Sequence, residues 1–235
     1  KRAAISSAFT VNLLKTGDNQ NNSKLWLSNG LNPSTLESFE FGNSGMQGNS
    51  NKLRDDATYR DIMLLDSNTY LLVVRDSNQI LSFNPATPNQ TRVWASGTGL
   101  NKPEHLALAS DGSVLVTNAG SRAVSRFSAS GQYLGELISA GSGGLGVPAC
   151  IGVDNGGFIY LCSSDNHLLL KYSANGAPLA VLASGPTVGI NQPVSLQLVG
   201  APLDTAPLDP SNDSDGDGVA NNKDKYPLDA SRSAD

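Results

Sequence analysis

The chain has 235 residues, with 16 Lys and Arg against 21 Asp and Glu, for a formal net charge of −5. That balance disfavours the phosphate attraction on which nucleic-acid and membrane-surface binders depend, so neither is an expected partner. Only 39% of residues are apolar while 24 are Gly and 12 Pro; this composition suits many turns, and no run approaches the ~18 apolar residues that span a bilayer.

From the N-terminus, Ala3–Leu14, Lys24–Leu27 and Leu36–Phe39 are the first strand candidates, separated by polar stretches at Asn19–Ser23 and Gly42–Asn51 that are expected to be long loops. Next come Ile62–Leu65, Tyr70–Val74, Gln79–Phe83 and Arg92–Ala95. A third group follows in Glu104–Leu108, Val114–Thr117, a strand ending on Phe127, and Gln132–Ile138. The fourth is Ala149–Val153, Phe158–Cys162, a strand ending on Tyr172, and Pro178–Leu182. Turn signals separate them: Asp111-Gly112 and Asn155-Gly156 after each first strand, Ser130-Gly131 and Asn175-Gly176 after each third.

These groups are copies of one unit. Pro103, Pro148 and Pro193 fall 45 residues apart, and Phe83, Phe127 and Tyr172 fall 44 and 45 apart. A period near 45 with four short strands per unit predicts an all-β fold, a β-propeller of four-stranded antiparallel blades. About four blades are visible, either closing on themselves or forming part of a larger propeller. In the first unit the opening strand would fall on the polar Thr16–Gln20, so it must come from Ala3–Leu14 or from Val194–Leu198. The latter has the first-strand pattern and no blade after it, and would close a ring by pairing the two termini.

The string from Asp165 to Gly176, with Asn166-His167-Leu168-Leu169 at its turn and Gly157-Phe158-Ile159-Tyr160-Leu161 before it, resembles NHL-repeat propellers. The resemblance covers residues 59 to 192 well and 14 to 58 loosely. Leu168 stands where that family usually has Arg. His167 occupies the family's turn position, which implies a structural role for it.

Cys150 and Cys162 lie on the first two strands of one unit, flanking the Asp154–Gly157 turn. Paired residues of a hairpin have a constant index sum, and this pair centres on Gly156. The two therefore face each other, within reach of a disulfide, or else they are two small buried hydrophobes in a reduced protein. A bond would favour an oxidising compartment.

After Gly200 the composition changes. Residues 1–199 read as the propeller and 200–212, with Pro202, Pro207 and Pro210, as a linker. The segment 213–235 opens on Asp213-Ser214-Asp215-Gly216-Asp217-Gly218. Carboxylates at positions 1, 3 and 5, a Gly at 6 and a carboxylate at 12 make the oxygen-rich spacing of a calcium loop. The stretch resembles a thrombospondin type 3 repeat, with Asn221 in place of the fourth Asp. Carried over by position, that resemblance makes Asp213, Asp215, Asp217, Asn221 and Asp224 the ligands, with the Val219 carbonyl added. It also implies a secreted or cell-surface protein, since weak calcium sites fill at external calcium levels. The chain opens abruptly at Lys1 and stops inside a pattern at Asp235, as an excised piece would.

Arg60, Glu104 and His105 are the candidate binding residues. His105 and Glu104 lie on the first strand of their unit, the one nearest a propeller axis. Adjacent residues of a strand point to opposite faces, so these two alone cannot form one dyad. The chain has only two histidines and no Ser-centred elbow, phosphate loop or Cys/His cluster. The expectation is a binding or structural protein of a bacterial surface or extracellular assembly, with a protein or glycan ligand on its loop face, or copies of itself as partner, and calcium in its tail. The alternative is a propeller lyase or hydrolase working in the central channel around His105.

Overall fold

A computed structural model of the chain describes residues 10–15, 23–28, 34–42, 45–84, 86–87, 90–185, 190–196 and 198. By its contacts the chain divides into Lys1–Leu198 and Val199–Asp235, and the whole predicted calcium segment lies outside the described residues.

The described residues hold sixteen strands in four antiparallel sheets, each built of consecutive strands in chain order. The first sheet is β1 (Thr10–Lys15), β2 (Ser23–Ser28), β3 (Ser34–Gly42) and β4 (Gly45–Ala57). The second is β5 (Tyr59–Asp66), β6 (Thr69–Val74), β7 (Gln79–Phe83) and β8 (Arg92–Ser96). The third is β9 (Pro103–Leu108), β10 (Val114–Asn118), β11 (Ala123–Phe127) and β12 (Tyr133–Ile138). The fourth is β13 (Pro148–Val153), β14 (Ile159–Ser163), β15 (Leu168–Tyr172) and β16 (Pro178–Ser184). Between the third and fourth sheets lies a short 3-10 turn, Ser142–Gly144. The inner strands stand side by side, β1 against β5, β5 against β9 and β9 against β13. These are propeller blades.

Middle strands are buried on both faces, which is why they read as unbroken apolar runs. In β6, Tyr70, Leu72 and Val74 join Tyr59, Ile62, Leu81 and Phe83 in one cluster, while Leu71 and Val73 point the other way. There they meet Leu106, Val114, Val116 and Phe127 of the third sheet. The next interface repeats the plan, with Leu115, Val124 and Ile138 packed on Ile151, Ile159, Leu161, Leu170 and Tyr172. At ~25 cal/mol per Å2 of apolar surface removed from water, such interfaces supply most of the favourable folding energy. Of the residues expected between blades, Leu108 departs from the plan at 42% exposed, because it ends its strand at the turn.

Each blade also grips its predecessor through a hairpin. Gly131 and Gly176, 45 residues apart, have φ of 89° and 81°, and a Cβ there would lie 2.0 Å from the Trp94 carbonyl oxygen and 2.2 Å from that of Leu137. Glycine is required twice over, by the backbone conformation and by the contact. Beside the first of these turns the Trp94 indole N–H donates to the Ala129 carbonyl at 3.0 Å.

A second latch recurs at the inner rim. The left-handed turn residues Asn78, Arg122 and His167 have φ of 50°, 57° and 60°. Asn78 Oδ1 accepts the Lys102 N–H at 2.6 Å, and His167 Nδ1 accepts the Gln192 N–H at 3.0 Å. His167 is structural, as its turn position implied. The latch sets Pro193 just past Gln192, as Pro103 follows Lys102. Beyond it, Leu196 and Leu198 lie over Gly152, their methyls 3.2 and 3.3 Å from where a Cβ would be.

Two sequence expectations change. Thr10–Lys15 is the opening strand of the first sheet, paired with β2 from Thr10↔Ser28 to Lys15↔Ser23, so Val194–Leu198 does not serve there. Gly42–Asn51, expected to be a loop, contributes to β4, which pairs with β3 with three irregularities in register. An outer strand can form on its main-chain ladder alone, so weak side-chain propensity does not exclude it. Of the loop expected at Asn19–Ser23, Ser23 begins β2 and the rest lies outside the described residues.

Candidate functional site

The inner ends of the second and third sheets carry a cleft of about 240 Å3, lined by Arg60, Arg75, Glu104, His105, Ala149 and Val194 among others. The three residues expected to bind, Arg60, Glu104 and His105, all border it. The repeat places them: β5 and β9 are equivalent inner strands, and 44 residues separate Arg60 from Glu104 and Asp61 from His105. Equivalent positions of neighbouring blades face each other, so each pair meets across the blade boundary.

Glu104 is held by two guanidiniums, with Arg75 Nε 2.5 Å from Oε1 and Arg60 Nε 3.2 Å from Oε2. Its side chain is only 15% exposed, and pairing of this kind is what permits a carboxylate to be so far withdrawn from water. His105 Nδ1 lies 3.6 Å from Asp61 Oδ2. Asp61 is itself positioned by main-chain donors, accepting the Ile62 N–H at 2.8 Å on Oδ1 and the Leu106 N–H at 2.9 Å on Oδ2. The His105 N–H in turn donates to Thr117 Oγ1 at 2.9 Å. Burial works against protonation of His105, but its hydrogen bond to Asp61 and the charges of Asp61 and Glu104 outweigh both burial and the opposing Arg60 charge. The imidazole pKa is raised as a result.

Glu104 and His105 thus do not form a dyad with each other, as strand geometry required, but each takes a partner from the second sheet. Asp61 and Arg75 were missed in the sequence. Asp61 had a legible signal, the same one-period offset that joins Arg60 to Glu104. Arg75 had a weaker one, sitting one period before Ala119 and two before Ser164, which line the same cleft. Among the described residues no group of three or more His, Cys, Asp and Glu side chains is placed to hold a metal ion.

At the next boundary the equivalent positions are Ala149 and Cys150. Cys150 is bonded to Cys162, with Cα atoms 4.9 Å apart, on the register Cys150↔Cys162. The pair lies beside the Ser195 carbonyl oxygen, 3.8 Å from Cys162 Sγ. No helix of the described residues is long and apolar enough to cross a membrane.

Repeated four-stranded sheets packed side by side on their inner strands define the class of fold, a β-propeller. No family model and no curated protein matches the chain. Among solved structures it is similar to a catalytically inactive histidine-to-alanine variant of virginiamycin B lyase from Staphylococcus aureus with quinupristin, at 13% identity and a TM-score of 0.59, covering 80% of this chain and 58% of that one. It is similar at 14% identity to a streptogramin B lyase structure, with a TM-score of 0.53, over 74% of this chain and 54% of that one. A protein of unknown function from Bacteroides caccae aligns at 17% identity and a TM-score of 0.59, over 80% and 70% of the two chains. The chain thus spans less than two thirds of the length of the lyases it matches, and at such identities the likeness is one of fold.

Proposed function

We propose that this is a propeller binding module of the cell exterior, taking a protein or glycan ligand at the inner-rim cleft, with calcium held by its acidic C-terminal segment. The observation that carries the reading is the cleft itself, where two guanidiniums, two carboxylates and an imidazole from neighbouring blades are fixed in place around a small concave space. The disulfide supports an oxidising compartment. Calcium rests on donor chemistry: Asp213, Asp215, Asp217 and Asp224 supply hard oxygens, with Asn221 and the Val219 carbonyl completing the set.

Arrays of glycans and of extracellular proteins, probed with wild type and with Glu104→Ala, test the cleft. A ligand retained by wild type and lost by the variant is expected; ligands bound equally by both would overturn the cleft as the site. Calorimetry at millimolar calcium tests the tail, with heat expected from wild type and none from the Asp215→Ala, Asp217→Ala double variant.

A second reading, catalysis, is favoured by one observation. Asp61 orients His105 through Nδ1, leaving Nε2 as a proton carrier. The Staphylococcus aureus lyase is inactive without a histidine, and quinupristin is therefore the first compound to try. Conversion by wild type and none by His105→Ala would establish this reading, and no conversion by either would leave the binding reading.

A further inference from the structure

An outer blade strand has one edge paired and one edge free, and a free edge is a template for another chain unless charge or irregularity blocks it. The four outer strands differ in this respect. β4 carries Lys52, Arg54, Asp55 and Asp56, β8 carries Arg92 and β12 carries Glu136. β16 reads Pro178-Leu179-Ala180-Val181-Leu182-Ala183-Ser184 with no charge at all.

It is also the most apolar surface among the described outer strands. Every residue from Pro178 to Leu182 is exposed, with Leu179 at 52%, Val181 at 53% and Leu182 at 47%. By the repeat, Val181 stands where Glu136 and Arg92 stand one and two units earlier. The charged stop on edge pairing has been replaced by a β-branched residue of high strand propensity. On its other side β16 continues an established ladder, paired with β15 from Leu168↔Ser184 to Tyr172↔Pro178.

We propose that β16 is the contact of a two-fold homodimer, in which it pairs antiparallel with β16 of a second copy and joins two fourth sheets into one of eight strands. A second copy fits better than a foreign strand because the segment is self-complementary. Antiparallel pairing centred on Val181 sets Val181 against its own mate, Leu179 against Ala183 and Ala180 against Leu182, and the absence of charge removes any like-charge contact across the axis. The net charge of −5 on each copy opposes the encounter, so added salt strengthens the pairing.

Sedimentation of the whole chain from low to high micromolar concentration tests the inference. Wild type is expected to go from monomer to dimer, tighter at high salt. Val181→Lys should weaken the dimer by more than about tenfold, while Leu134→Lys, at a β12 position 53% exposed, should leave it unchanged. Val181→Cys should form a disulfide-linked dimer on oxidation. A wild type that stays monomeric throughout, or a dimer indifferent to Val181→Lys, would overturn the proposal.

Discussion

The boundary between the second and third sheets and the boundary between the third and fourth share one repeat position but use it for opposite purposes. At the first, Arg60, Asp61, Glu104 and His105 make a charged, partly hydrated rim. At the second, Pro148, Ala149 and the Cys150–Cys162 bond make an apolar, covalently tied one. Behind both rims the packing is alike, apolar side chains of two sheets interleaved. The blade core therefore carries stability at either boundary, and the rim position is left free to carry chemistry at one and reinforcement at the other.

The comparison can be broken most severely in the shared packing. Leu161, fully buried between the third and fourth sheets, should cost about 2–5 kcal/mol as Leu161→Ala. In urea this would be a lower midpoint at unchanged slope. A smaller loss is expected at the covalent rim: replacing both cysteines by alanine removes a bond across 12 residues, worth about 2–3 kcal/mol. Cleft binding should survive that change, since Glu104 and its arginines lie at the other boundary; a loss of binding equal to that of Glu104→Ala would show the two rims to be one site.

The smallest effect sharpens the charged rim through its pH dependence. A histidine whose folded pKa is raised stabilises the fold fully below its unfolded value of about 6.5, and that contribution is lost as pH rises through the folded value. Wild type should therefore lose a little stability above that point, and Asp61→Asn should abolish the trend. Proton NMR of His105 should show its pKa falling in the variant; an unchanged value would mean that Asp61 is not what raises it.

Much of the fold was legible because the repeat advertises itself. From Tyr59 to Ser184 the strands lie within a few residues of where prolines, turns and terminal aromatics put them, since Gly131 and Gly176 answer to fixed steric demands. β4 was not legible, because a polar outer strand of Gly, Asn and Ser looks like a loop until its neighbour supplies the ladder. In the cleft, Glu104 and His105 stood out by type, whereas their partners depended on knowing that equivalent positions confront each other. Asp61 and Arg75 are ordinary surface residues until the blades are set side by side.

That confrontation of equivalent positions bears on how such a chain can evolve. When a blade is copied, the new blade meets its parent with the same residue at the same place, so a duplicated Arg60 would face an arginine and a duplicated Asp61 an aspartate. The pairs Arg60–Glu104 and Asp61–His105 have opposite signs at both places, so these two blades cannot be interchanged or doubled without setting like charges against each other. The rim records blade order, and it makes unequal recombination between repeats self-penalising at one boundary while leaving it tolerable at the apolar one.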